Sequence, residues 1–138
     1  MTPALGRRLA RSLLGLSVVA SAGASALAIS NPARTSVPAT VAGYVAGLIF
    51  PVVGALIASR RPNSPIGWLL IVPGLALGLS GGLANEYAHY SVDVHHLPAA
   101  GLVLGITNAW WAIALGALAP FTLLLFPDGR PPSSRWPR

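Results

Sequence analysis

Residues 37–84 read VPATVAGYVAGLIFPVVGALIAS RRPNSP IGWLLIVPGLALGLSGGLA, and they give the clearest indication of the fold. Its two long runs contain no charged residue, and a six-residue polar turn separates them. Each run has about 20 residues, the length that an α-helix needs to cross the hydrocarbon core of a bilayer. Two prolines, an asparagine and a serine favour a tight turn between helices. The stretch therefore predicts two membrane-spanning helices, at about residues 37–59 and 66–84.

Two further apolar runs flank this pair, at about residues 10–29 and 100–126. Asn31 and Pro32 separate the first run from the pair, and the polar residues 85–98 precede the last one. Residues 127–138 form a short, basic, proline-rich tail. The sequence therefore predicts an all-α fold, a polytopic membrane protein with a bundle of four transmembrane helices at residues 1–126.

The first run also has the features of a secretory signal peptide. A basic start is followed by an apolar middle and by Ala24-Ser25-Ala26, which fits an A-x-A cleavage site. We expect the run to remain as a membrane helix. Cleavage is the alternative, and it would leave three spans in the same orientation.

The composition excludes several classes of protein. Hydrophobic residues make up 54% of the chain and charged residues 9%, with a mean hydropathy of +0.66. Soluble domains carry roughly 25% charged residues, so this chain cannot cover a soluble surface. The net charge of +6 does not indicate nucleic-acid binding, because the basic residues flank apolar runs instead of forming a stripe. The chain has no cysteine, which excludes disulfides and thiol catalysis.

The arginines predict the orientation in the membrane. Cytoplasmic loops carry an excess of basic residues, and arginines at the headgroups anchor a turn to anionic lipid. If both termini lie on the cytoplasmic side of the cell (plasma) membrane, Arg34 is the only arginine on the outer side. The lipid bilayer is then the principal partner, and the expected cytoplasmic anchors are Arg7, Arg8, Arg11, Arg60, Arg61, Arg130 and Arg135, with Arg138 at the chain end.

Prolines and glycines in the apolar runs predict how the helices pack. Pro51, Pro73 and Pro120 each lie inside a run, where we expect static kinks; a hinge or gate is the alternative. Gly74, Gly78 and Gly82 are spaced four residues apart, so they lie on one face of the third helix. Small residues at this spacing let helices approach closely. We expect a contact within the bundle, with a homodimer face as the alternative.

Residues that could support chemistry are scarce. Apart from Arg11 at the start of the first run, the four predicted spans contain no Asp, Glu, Lys, Arg or His, which argues against a proton pump or a coupled transporter. We expect no enzyme activity and no cofactor. The predicted outer loop holds Glu86, Asp93 and three histidines, which could bind Zn²⁺ or Cu²⁺ or respond to pH. We expect a solvated loop without a specific metal site at His89, His95 and His96.

Two turn motifs carry a resemblance to a known family. They are residues 60–70, RRPNSPIGWLL, and residues 124–136, LLFPDGRPPSSRW. In order and spacing they resemble the membrane-spanning N-terminal regions of actinobacterial sensor histidine kinases and related multi-pass proteins. There an RRP-x-NPIGWLL turn precedes one helix and an LLFPDGRLPSxRW turn follows a later one. The resemblance covers nearly the whole chain and implies a membrane input module.

The chain also departs from that pattern. In the family, further membrane helices and a cytoplasmic kinase follow the second turn, whereas this sequence stops within ten residues of it. The resemblance therefore implies an input module without its output, whether from a truncated reading frame, a gene remnant or a stand-alone membrane partner of a separately encoded kinase. No catalytic residue is carried over. A small transporter or channel subunit is the alternative of a different class.

Overall fold

The computed structural model describes residues 2–33 and 36–107, together with Ala109 and Gly116. Every regular element in this part of the chain is helical. In order these elements are α1 (Pro3–Ser30), α2 (Val37–Gly47), α3 (Ile49–Arg60), α4 (Pro65–Leu77), a π-helical segment (Gly78–Ala84) and α5 (Asn85–Asp93). Residues 100–107 are also helical. The all-α prediction is confirmed for the described residues.

Three helical stretches are long and apolar enough to cross a membrane: Ala4–Ser30, Val37–Arg60 and Pro65–Asp93. We call them the first, second and third spans. The third extends well beyond its predicted end at residue 84, because α5 continues the helix through residues expected to form a loop. A fourth span is not established, since only residues 100–107 of the predicted 100–126 run form a described continuous helix. Arg130, Arg135 and the whole 127–138 tail lie outside the described residues.

The second span is interrupted at Leu48, between α2 and α3. Proline has no N–H, and its ring clashes with the carbonyl group four residues earlier. For Pro51 that carbonyl belongs to Gly47, so the α-helical ladder cannot continue there. Instead the Leu48 N–H donates to the Val45 carbonyl oxygen at 3.2 Å, a tighter turn. Pro73, in contrast, lies inside α4, which continues past it.

The third span contains a seven-residue π-helix, Gly78–Ala84, between α4 and α5. π-helices are rare, and those that do occur are often found at functional sites. Three of the seven residues in this segment are glycines and so have no side chain. The Ser80 hydroxyl donates to the Ala76 carbonyl oxygen at 2.7 Å. Because a π turn holds more residues than an α turn, the regular four-residue face predicted from the sequence is shifted here.

Small side chains pack α1 against the other two spans. Ala10, Ala20, Ala24 and Ala28 of α1 are all at most 1% exposed. Alanine stripes allow close approach where lipid supplies no hydrophobic driving force between helices. Helix α1 thus packs closely against the rest of the bundle.

The bundle has two distinct ends. At one end a buried cluster of Ala10, Ala55, Ala58 and Ile71 is covered by Leu13, Leu14 and Trp68. The Trp68 indole Nε1 donates to the Pro62 carbonyl oxygen at 2.9 Å, which fixes the adjoining 61–64 turn. We call this the arginine end, because it carries Arg7, Arg8, Arg11, Arg60 and Arg61, all exposed. We call the opposite end, near Asn31 and Asp93, the distal end.

Candidate functional site

Glu86 lies inside the third span and is 1% exposed. The sequence placed it in a loop, and that prediction was wrong because residues 85–93 are helical. Helix α5 buries Glu86, Ala88 and Ser91 against the bundle, whereas His89 is exposed. The predicted run at residues 66–84 contains no ionisable residue, but the helix that continues from it carries Glu86. Carboxyl groups within membrane spans are rare, face the bundle interior and mark functional sites.

Tyr44 of α2 binds this carboxyl group directly. Its phenol hydroxyl donates a hydrogen bond of 2.6 Å to Glu86 Oε1. Short O–H···O bonds to a carboxylate are about twice as strong as bonds between neutral groups. The bond joins the second and third spans through two side chains that lie 42 positions apart in the chain.

A second polar contact joins the first and third spans at the distal end. Asn31, which caps α1 and is 2% exposed, donates from Nδ2 to Asp93 Oδ2 at 2.8 Å. The other amide atom, Oδ1, accepts from the Ala33 N–H at 3.0 Å and holds the turn that leaves α1. Both polar atoms of the buried Asn31 amide are thus used. The three spans are joined in pairs by two side-chain bonds toward this end.

A cavity of about 260 Å³ lies among the three spans, and Tyr44 lines it. Ser17 and Ser21 of α1 contribute hydroxyl groups to its wall. The rest of the wall is made by residues around the Leu48 break, by Leu77, and by glycines on both the second and the third span, namely Gly43, Gly47, Gly74, Gly78, Gly81 and Gly82. Glu86 is one hydrogen bond away from the cavity, through Tyr44.

The glycines predicted to form one packing face have different surroundings. A Cβ placed on Gly74 would lie 2.8 Å from Pro51 Cδ, and one on Gly82 would lie 3.6 Å from Ala24 Cβ and from the Tyr44 ring. A Cβ on Gly78 would meet nothing within 4 Å. Gly74 and Gly82 therefore adjoin neighbouring helices, whereas Gly78 faces the cavity.

Two close contacts that were not predicted from the sequence join α3 and α4. A Cβ on Gly54 would lie 2.7 Å from the Gly67 carbonyl oxygen. A Cβ on Gly67 would lie 2.8 Å from the Ala58 backbone nitrogen. The four-residue spacing of Gly54 and Ala58 was the signal available for this interface.

The three histidines do not converge. His89 is exposed on α5, and His95 and His96 follow the helix, also exposed. The His95 ring lies against Tyr90, with ring centroids 5.9 Å apart. The chain then folds back on α5, where the Leu97 N–H donates to the Ser91 hydroxyl at 2.8 Å and Tyr87 donates to the Pro98 carbonyl at 3.0 Å. Among the described residues, no group of three or more His, Cys, Asp or Glu could hold a metal ion.

Comparison of the chain with family models, with curated proteins and with solved structures gives no match. The candidate site is therefore defined by its own geometry. It consists of a buried carboxyl group, a phenol that donates to it, and an adjoining cavity between the spans. The bond of this carboxyl group to Tyr44 joins two spans inside the bundle.

Proposed function

We propose that the chain is a non-catalytic membrane input module of a signalling system, acting on a separately encoded kinase. The observation that carries this proposal is the Tyr44–Glu86 hydrogen bond of 2.6 Å, buried in the bundle and linking two spans. Buried polar contacts in a membrane have discrete made and broken states, which suits a two-state element. The two turn motifs that resemble sensor kinase input regions support the same function.

The helices offer a route from this contact to the arginine end. Each of the three spans extends from the distal end to the arginine end, and α4 packs tightly on α3 at Gly54 and Gly67. A close-packed interface transmits a displacement instead of absorbing it. A change at Glu86 would thus be felt at the Arg60–Arg61 turn, where a cytoplasmic partner could respond.

A four-span arrangement with both termini cytoplasmic belongs to the proposal. The common location of five exposed arginines at one end of the bundle supports it. Val103, Ile106 and Thr107 of the 100–107 helix face Val72 and Leu79 of the third span across an apolar cavity of about 480 Å³. A four-span arrangement requires that a further helix begin beside the third span, as the 100–107 helix does.

Chromosomal variants in the native host test the signalling function. We expect deletion of the gene to change a coherent set of transcripts, and Glu86→Gln to alter the same set. Asp93→Asn is the matched control, because it makes the same carboxyl-to-amide change at an exposed position of the same helix and keeps an oxygen that can accept from Asn31. Unchanged transcripts in the deletion strain, with the protein present in wild-type membranes, would contradict the proposal.

The buried position of Glu86 also favours a second candidate, a small transporter or channel subunit. A polar pathway needs an ionisable group within the spans, and Glu86 supplies one. Proteoliposomes that contain the purified protein would distinguish the two functions. An ion or proton flux that is lost in Glu86→Gln and kept in Asp93→Asn would establish transport and refute the input-module function.

A further inference from the structure

The cavity between the three spans is kept open by glycines that no packing contact requires. A Cβ placed on Gly43, Gly47, Gly78 or Gly81 would meet nothing within 4 Å. All four residues line the cavity of about 260 Å³. Alanine forms helices better than glycine, and there is room for it at each position. The effect of glycine here is therefore to leave space that side chains would otherwise fill.

Backbone irregularities adjoin this space on both sides. The break at Leu48 and the π-helical segment Gly78–Ala84 both lie in the cavity wall. An interruption moves backbone off the path of a regular helix, and a π turn is wider than an α turn. Both spans thus depart from regular α-helix where they face the cavity.

One polar group in the wall lacks a hydrogen-bond partner among the described residues. Ser21 is 8% exposed, and its hydroxyl makes no hydrogen bond with any residue that the structure describes. Other buried or half-buried serines bond to their own helix, as Ser17 does with the Leu13 carbonyl at 2.9 Å and Ser25 with the Ser21 carbonyl at 2.8 Å. A buried hydroxyl without a partner requires an explanation. Ser21 lines the cavity, so a molecule within it would supply the missing bond.

We propose that this cavity binds a small, neutral, lipophilic molecule that carries one hydroxyl group, of the size of a substituted phenol, with its hydroxyl on Ser21. An apolar cavity of about 150 Å³ takes up benzene, so this larger one has room for a substituted ring. None of the residues that form its wall is charged, which disfavours an ion. The ligand reaches the site from the bilayer. The proposal is independent of the signalling function, since binding is measured on the purified protein alone.

Fluorine NMR of 4-fluorophenol with the full chain in nanodiscs tests the site, with empty nanodiscs as the reference for lipid partitioning. We expect saturable one-to-one binding. Gly78→Leu places a side chain in the open space and should weaken binding about tenfold or more. Gly15→Leu is the matched control, because Gly15 also meets nothing within 4 Å but does not line the cavity. It should leave binding unchanged.

The role of Ser21 has its own test. Ser21→Ala should weaken 4-fluorophenol binding about fivefold and leave fluorobenzene binding unchanged, since only the phenol uses the hydroxyl. Ser25→Ala, at a residue that bonds to its own helix, should affect neither ligand. If Gly78→Leu does not fold, Gly43→Leu fills the same space from the second span. Signals equal to those of empty nanodiscs, or equal affinity in the cavity-filling and control variants, would overturn the proposal.

Discussion

Glycine has opposite roles in two regions of the bundle. One region is the interface between α3 and α4, and the other is the cavity farther along the same two spans. At Gly54 and Gly67 an added Cβ would lie 2.7–2.8 Å from backbone atoms of the other helix. At Gly43 and Gly78 it would meet nothing within 4 Å. Glycine in the first region permits contact, and in the second it preserves space. Spacing alone therefore does not distinguish a packing glycine from a cavity glycine.

The backbone explains why the two regions differ. Helices α3 (Ile49–Arg60) and α4 (Pro65–Leu77) are each a continuous α-helix, so residues four apart stay on the surfaces that face each other. Beyond them, the second span breaks at Leu48 and the third enters its π-helical segment. The glycines there are still four residues apart in the sequence, but the irregular backbone no longer places them on two helix surfaces that face each other.

The largest effect that we expect is the difference in reporter location between the two ends of the bundle, which is all-or-none. If the arginine end is cytoplasmic, a reporter fused after Arg61 should read as cytoplasmic and one near Val94 as external. The close interface and the polar distal contacts would then lie toward opposite sides of the membrane. An external signal at Arg61 would refute the proposed orientation.

A pair of alanine substitutions tests the contrast between tight and open glycines. Gly67→Ala places a Cβ 2.8 Å from the Ala58 backbone nitrogen and should lower the free energy of unfolding by about 1–3 kcal/mol. Gly78→Ala adds the same methyl group in open space, and we expect no loss of stability. Thermal unfolding in detergent, monitored by circular dichroism, measures both. Equal destabilisation would show that Gly78 also lies at a close contact, as its sequence spacing had predicted.

The sequence predicts three of the long apolar helices, because long uncharged runs and proline-rich turns are local features. The Leu48 break follows from Pro51 in the same way. The burial of Glu86 could not be predicted from hydropathy, since the apolar run ends at Ala84 while the helix continues to Asp93. One signal was available: Glu86 follows Gly82 by four residues. Its bond to Tyr44 and the contact of Asn31 with Asp93 depend on tertiary packing, which one sequence does not specify.

The next largest effect on stability is expected at the buried pair. Tyr44→Phe removes the hydroxyl that donates to Glu86 Oε1 and keeps the ring that lines the cavity. Loss of one donor to a buried carboxyl group should cost about 1–3 kcal/mol. Tyr87→Phe is the control, because it removes a hydroxyl bond on the exposed surface, to the Pro98 carbonyl. Equal unfolding temperatures for Tyr44→Phe and wild type would show that the pair does not hold the spans together.

The smallest effect is expected at the distal end, where Asn31 bonds to an exposed partner, Asp93. Asn31→Ala loses this bond and the one to the Ala33 N–H, so it should destabilise the protein by about 1 kcal/mol. Asp93→Ala removes only the first bond and should have a smaller effect. A double-mutant cycle isolates the shared bond, and we expect a coupling energy of about 0.5 kcal/mol or more. Strictly additive effects would mean that Asn31 acts only on its own turn. The first and third spans would then be held together by the small side chains of α1, without a polar contact.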